Sequence, residues 1–183
     1  PQGGFGPGGW VEVTADAGPT SELVSGPRTG LMFASAGSTR MLYRSVDVMV
    51  KNVILRCHPL GLTRTIAGTL NFNLISTFRI RGASTGFISA CSSSAHAFGY
   101  ALDLGRLSRL VRVFVVGAED GDLFTLLPFA SCRALSRSSD PTKFPCAFDV
   151  KRNGFAGTGG AAVLVLENAD VAEKRGAKVY AEA

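Results

Sequence analysis

The chain has 183 residues, 46% of them hydrophobic and 18% charged, which fits a folded domain with a sizeable core and excludes a disordered chain. The formal net charge of +5 comes from positive residues scattered without aromatic interleaving, which argues against a nucleic-acid platform. No apolar run reaches the 18 or so residues of a membrane span and no signal-peptide pattern opens the chain, so a cytoplasmic protein without a membrane span is expected.

Residues 1–27 read as an irregular lead-in. PQGGFGPGGW is rich in Gly and Pro, PTSELVSGP adds turn formers, and Trp10–Val13 has the composition of a short strand. A single partial α/β domain is expected over 28–183. TGLMFASAG from Thr29 is an apolar run ending in small residues, a buried strand followed by a turn. Residues 39–56 and 61–78 have helical spacing and are separated by His58-Pro59.

After Gly82, STGFISA reads as a strand running into Cys91. In CSSSAHAFGYALDLGRLSRL, Ala95, Phe98 and Leu102 recur at helical spacing, with serines at the N-terminus available as caps. VRVFVVGAED is a continuous apolar strand stopped by Gly117. GGAAVLVLE is a further strand, DVAEKRG a short helix, and AKVYAEA a last strand. Strands alternating with helices, the strands apolar throughout, imply an α/β layered fold with sheets covered on both faces.

Four cysteines (57, 91, 132 and 146) and two histidines (58 and 96) show no CxxC and no metal-ligand spacing, so neither a metal nor a cofactor is expected. Cys132 and Cys146 read as packing residues, His58 and His96 as structural. Arg106, Arg109 and Arg112 recur at three-residue spacing, and Arg79 and Arg81 form a second group. They make either a solvated face or a landing site for an acidic partner.

Cys91 stands apart because it joins a strand to a helix. The unsatisfied N–H groups of a first helical turn and the positive end of the helix dipole favour negative charge, and so the thiolate. Small neighbours leave backbone amides free to hold an oxyanion. The position suits nucleophilic acyl transfer, although a buried structural cysteine would occupy it equally well.

SACSSSAHAFGYALD, then VGAED, FASCRALS and AFDVKRNGFAGTGGAAVLVLE, in that order and at these separations, resemble the elongating β-ketoacyl-acyl-carrier-protein synthases. The resemblance is strongest over 84–183 and visible from Thr29. It implies most of the first, nucleophile-bearing half of a thiolase-like layered α/β/α/β/α fold. It implies that Cys91 accepts an acyl group from acyl carrier protein and that a malonyl thioester supplies the attacking carbanion. Two chains would pair through the strand before the nucleophile, as a homodimer or with a synthase-like partner. Phe129 falls where relatives place a phenylalanine beside the acyl pocket, making it the expected substrate-binding residue.

The family's two further histidines, its supporting lysine and a glycine-rich loop belong to the second half of the fold. The usual RPFD, RDGF and GEG are replaced here by Cys146-Ala147 before Phe148-Asp149, by Arg152-Asn153-Gly154-Phe155, and by Gly157-Thr158-Gly159. These departures suggest a divergent branch. A non-catalytic synthase-like partner is the alternative, against which Cys91 itself counts. A cysteine hydrolase ranks last, since neither histidine is placed to activate the thiol.

Overall fold

The computed structural model describes residues 12–13, 15–18, 20–51, 70–143 and 145–183. Its centre is a four-stranded sheet in the order β2-β1-β3-β4. The strands are β1 (Thr29–Ala34), β2 (Ser84–Phe87), β3 (Arg112–Glu119) and β4 (Gly160–Glu167). β1 pairs in parallel with β2 and β3, Leu31 opposite Ser84 and Phe114, while β4 runs antiparallel to β3. The helices are α1 (Ser21–Val24), α2 (Thr39–Lys51), α3 (Leu70–Phe78), α4 (Ser93–Arg106), α5 (Leu123–Ser131) and α6 (Ala169–Lys174).

Side-chain alternation along β1 and β3 divides the core between the two faces of the sheet. Leu31, Phe33, Phe114 and Val116 face α1 and α3, packing with Val24, Leu74 and Ile80. Met32, Ala34, Val113 and Val115 face α4, packing with Ala97, Ala101 and Leu104. Phe114, Leu31, Met32 and Val116 are fully buried, each contributing about 1.5–3 kcal/mol from removal of its side chain from water.

The helix expected from the spacing of Ala95, Phe98 and Leu102 forms as α4, and its buried stripe is Ser93, Ala97, Ala101 and Leu104. Small residues let the helix axis approach the sheet, and at Gly117 a Cβ would lie 2.7 Å from Ser94 Oγ. The bulkier Phe98 and Leu102 are only half-buried and Ala95 is exposed. Gly117 does not stop β3, which continues in register to Glu119 opposite Gly160. Gly30 and Gly82 meet the same kind of demand at the sheet's other end: a Cβ on either would come within 2.5 Å of a neighbouring backbone carbonyl oxygen.

Helices form over 39–51 and 70–78 as expected; the His58-Pro59 break and Cys57 lie outside the described residues. So do Trp10 and Val11, while Glu12 and Val13 are helical rather than extended. AKVYAEA is not a strand. Gly176 turns the chain at φ +66°, no backbone ladder forms over 177–183 among the described residues, and Tyr180 instead donates its hydroxyl to Asp16 (2.9 Å). The sheet is not covered evenly, because β4 is exposed over its first three residues and at Leu164.

Arg112 is no surface residue. It is buried at 2% exposure and ion-paired across the β3–β4 ladder with Glu167. Arg112 Nη1 also donates to Leu23 O (3.0 Å), and the other Glu167 oxygen accepts from Arg175 Nε (2.9 Å) and Nη2 (2.7 Å). Arg106, Arg109, Arg79 and Arg81 are exposed.

Candidate active site

In the parallel portion of the sheet, β1, β2 and β3 all end at the same edge. From β1 the chain crosses to one side to make β2, then returns past β1 to make β3, so the β1/β3 boundary is where the winding reverses. Ligand sites in open α/β sheets gather outside the carboxyl ends of strands at such a reversal. Here the loop after β1 is held by acidic groups from the end of β3: Ala36 N–H donates to Glu119 (3.3 Å) and Ser38 Oγ to Asp120 Oδ2 (3.2 Å). Asp122 then caps α5, accepting from Phe124 N–H (2.8 Å) and Thr125 N–H (3.2 Å). VGAED thus closes the loop after β1, and Asp122, two residues beyond it, starts the helix that carries Phe129.

Cys91 is carried at this edge on a tight turn. β2 stops at Phe87, short of the expected Ala90, and Ile88 is exposed. Ala90 then takes φ +50°, the left-handed region that costs a non-glycine residue about 1–2 kcal/mol. Cys91 is exposed with a free thiol, and α4 begins two residues later. The ring of Phe87 packs on Tyr100 of α4 with centroids 5.6 Å apart, tying the end of the strand to the helix.

The turn is held by serine hydroxyls. Ser89 N–H donates to Ser93 Oγ and Ser93 Oγ to Ala90 O, both 2.7 Å, while Ser92 Oγ donates to Ser89 O (2.7 Å). Ser92 is the N-cap residue, but at φ −90°, ψ 0° its hydroxyl points back to the turn and leaves the helical amides uncapped by that side chain. The serines expected as caps therefore brace the turn that carries Cys91 instead. His96, one turn further along α4, places Nδ1 2.6 Å from Ser89 Oγ. Sequence reasoning missed Ser89 altogether; its signal was the i, i+7 spacing of Ser89 and His96 across the strand–helix junction.

Phe129 lies on α5, exposed, with its ring edge-on to Phe155 at 5.3 Å. Phe155 lines an open cleft of about 470 Å³ with Ala134, Pro145, Ala147, Arg152 and Gly154. Cys91 does not line that cleft, so the structure links Phe129 to the cleft and not directly to the thiol. Around it, Arg152 Nη1 donates to the Asp149 carbonyl (3.1 Å) and the Asp149 carboxylate accepts from Lys151 N–H (2.7 Å). Cys132, the C-cap residue of α5, is exposed and donates to Phe129 O (3.3 Å), and Cys146 is half-buried at φ +49°, so neither fills the core. Among the described residues no cluster of His, Cys, Asp and Glu could hold a metal, and no helix is long and apolar enough to cross a membrane.

The sheet, its helical layers and the cysteine turn define a thiolase-like α/β chain. Superposition on a β-ketoacyl synthase from Burkholderia phymatum gives a TM-score of 0.80 at 29% identity, covering 90% of this chain and 41% of that one. The ketosynthase of a type II polyketide system, solved with its acyl-carrier protein and bound to the hexaketide, matches in fold with a TM-score of 0.79 at 20% identity, covering 91% and 43%. The family model for the β-ketoacyl synthase N-terminal domain matches residues 10–172, and the chain belongs to that family. It is 36% identical over 175 residues to 3-oxoacyl-[acyl-carrier-protein] synthase 1 of Haemophilus influenzae, covering 93% of this chain and 43% of the relative. The Escherichia coli K12 synthase 1 is 32% identical over 176 residues, with the same coverage. The chain therefore spans less than half the length of the curated relatives it matches.

Proposed function

We propose that this chain is the nucleophile-bearing part of a β-ketoacyl-acyl-carrier-protein synthase, with Cys91 as the acyl acceptor. The observation that carries the reading is the left-handed turn at Ala90, which presents an exposed thiol between β2 and α4. A backbone strained at one residue and braced by three serines suits a group that must be held in a fixed position.

In the first step the Cys91 thiolate attacks the thioester carbonyl of an acylated carrier protein. A new C–S bond forms, the old one breaks, and the carrier leaves as its thiolate. In the second, a malonyl carrier loses carbon dioxide and its α-carbon attacks the acyl-cysteine carbonyl. The carbon–carbon bond forms as the Cys91 C–S bond breaks, returning the thiolate and releasing a β-ketoacyl carrier. The histidines and lysine that the family uses for decarboxylation belong to the second half of its fold, and His96 is engaged with Ser89.

Phe129 is assigned to the acyl pocket, its orientation set by the edge-on contact with Phe155. An acidic carrier protein as partner agrees with the net charge of +5 and with the carrier-bound state of the polyketide ketosynthase of the same fold. Pairing of two chains through β2 is supported by its place at the edge of the sheet and by exposed Ile88. A reducing, cytoplasmic setting agrees with the free thiols of Cys91, Cys132 and Cys146.

The test is the intact mass of the full-length protein before and after incubation with an acyl-carrier-protein thioester. One added acyl group, lost in Cys91→Ala, is expected. No gain in mass would overturn the enzyme reading and leave a non-catalytic synthase-like partner.

A further inference from the structure

Three hydroxyl and imidazole contacts stand together beside Cys91, and their hydrogens can be counted. Ser92 has one hydroxyl hydrogen, committed to the Ser89 carbonyl at 2.7 Å. The 3.1 Å contact between Ser92 Oγ and Ser89 Oγ therefore takes its hydrogen from Ser89. That uses the only hydrogen Ser89 has, so the 2.6 Å contact between Ser89 Oγ and His96 Nδ1 must take its hydrogen from the ring. All three contacts are hydrogen bonds only when Nδ1 is protonated.

We propose that His96 is a positioning residue for Cys91, held with Nδ1 protonated and donating to Ser89 Oγ. A one-way relay then runs from His96 Nδ1–H to Ser89 Oγ–H, from there to Ser92 Oγ–H, and ends on the Ser89 carbonyl. The relay ties Ser89, before the left-handed Ala90, to the second residue of the turn beyond it and to the first full turn of α4. Ser93 makes the parallel tie, accepting from Ser89 N–H and donating to the Ala90 carbonyl. Cys91 sits between the two ties, so its backbone cannot rotate without breaking one of them.

Protonation of the ring adds its proton at Nε2, away from Ser89, and leaves the relay intact. A ring with Nδ1 bare would instead accept the Ser89 hydroxyl hydrogen, and the link from Ser89 Oγ to Ser92 Oγ would be lost. Nδ1 of His96 is thus a fixed donor to Ser89. The functional meaning of this arrangement rests on Cys91 being the acyl acceptor; the hydrogen count does not.

Two measurements on the full-length protein test it. The first is the long-range ¹H–¹⁵N correlation of the histidine-labelled protein, with the His96 signals assigned by their loss in His96→Asn. The Nδ1–H form of the neutral ring is expected, and a neutral ring with Nε2–H and a bare Nδ1 overturns the inference whether or not acyl transfer occurs. The second is the single-turnover rate of Cys91 acylation at saturating carrier thioester, followed by intact mass. His96→Ala and Ser89→Ala should each slow it about five- to tenfold, the worth of one hydrogen bond, and the double variant no further. His96→Asn, whose amide can donate from nearly the place of Nδ1, should stay within about twofold of the unsubstituted protein. Unchanged rates in both alanine variants overturn the inference while leaving the acyl-acceptor reading intact; no acylation of the unsubstituted protein overturns that reading alone.

Discussion

Replacing Glu167 should cost more stability than any exposed ion pair could account for. Its carboxylate sits between two guanidiniums, Arg112 at 3% and Arg175 at 18% side-chain exposure, and is itself 6% exposed. In Glu167→Ala, Arg175 can be rehydrated, and its share is that of a surface pair, up to about 1 kcal/mol. Arg112 cannot. Its Nη1 keeps the Leu23 carbonyl, but Nη2 loses its anion and Nε already has no hydrogen-bond partner. An uncompensated buried charge of this kind costs about 3–5 kcal/mol, which is the expected loss. Glu167→Gln keeps an acceptor oxygen without the charge and should fall between, at about 1.5–3 kcal/mol. The double variant Arg112→Met with Glu167→Leu should be less destabilised than Glu167→Ala, since no charge is left buried. Urea unfolding of the full-length protein gives each value from the midpoint at unchanged slope. A Glu167→Ala loss under about 1 kcal/mol would refute the reasoning, because water would then be reaching Arg112.

Gly121→Ala should lower the melting temperature sharply, since its Cβ would fall 2.2 Å from Gly159 N and 2.7 Å from Thr158 C, both backbone atoms that no rotamer change can move; unchanged melting would show that the two loops do not approach. Ala90→Gly should leave stability within about 1 kcal/mol, relief of the left-handed strain offsetting the greater freedom of the unfolded chain. The same variant should slow acylation of Cys91, and equal rates would mean that the strain at φ +50° does not position the thiol.

The sheet was legible because burial in a parallel α/β layer leaves continuous apolar runs: TGLMFA, RVFVV and AAVLVLE are strands in the structure. The last expected strand failed for a physical reason. A strand is made by its neighbour's backbone groups, and AKVYAEA has no neighbour among the described residues. The spacing in α4 announced a helix but not its buried stripe, because alanines carry little hydrophobic signal yet permit the closest helix–sheet contact: Ala97 and Ala101 are buried where Phe98 and Leu102 are only half-buried. Arg112 was misread because a cation hides its partner from sequence: Glu167 lies opposite it only once β3 and β4 are antiparallel and in register.

At the site, the place of Cys91 was legible and its conformation was not. A strand–cysteine–helix junction marks where the chain must reverse direction, and small residues mark that the reversal is tight. The residue that bears the strain is alanine, a type whose identity gives no hint of φ +50°, where glycine would have announced it. Alanine there narrows the backbone choices of the unfolded chain while the turn's serine and histidine bonds hold the one unfavourable conformation in the folded state. Three consecutive serines after the cysteine read as generic helix caps, yet Ser92 and Ser93 satisfy the carbonyls of Ser89 and Ala90. Each of those carbonyls also accepts a backbone N–H three residues on, from Ser92 (3.1 Å) and Ser93 (3.2 Å), so the hydroxyls add a second bond to carbonyls that the turn's own backbone already closes.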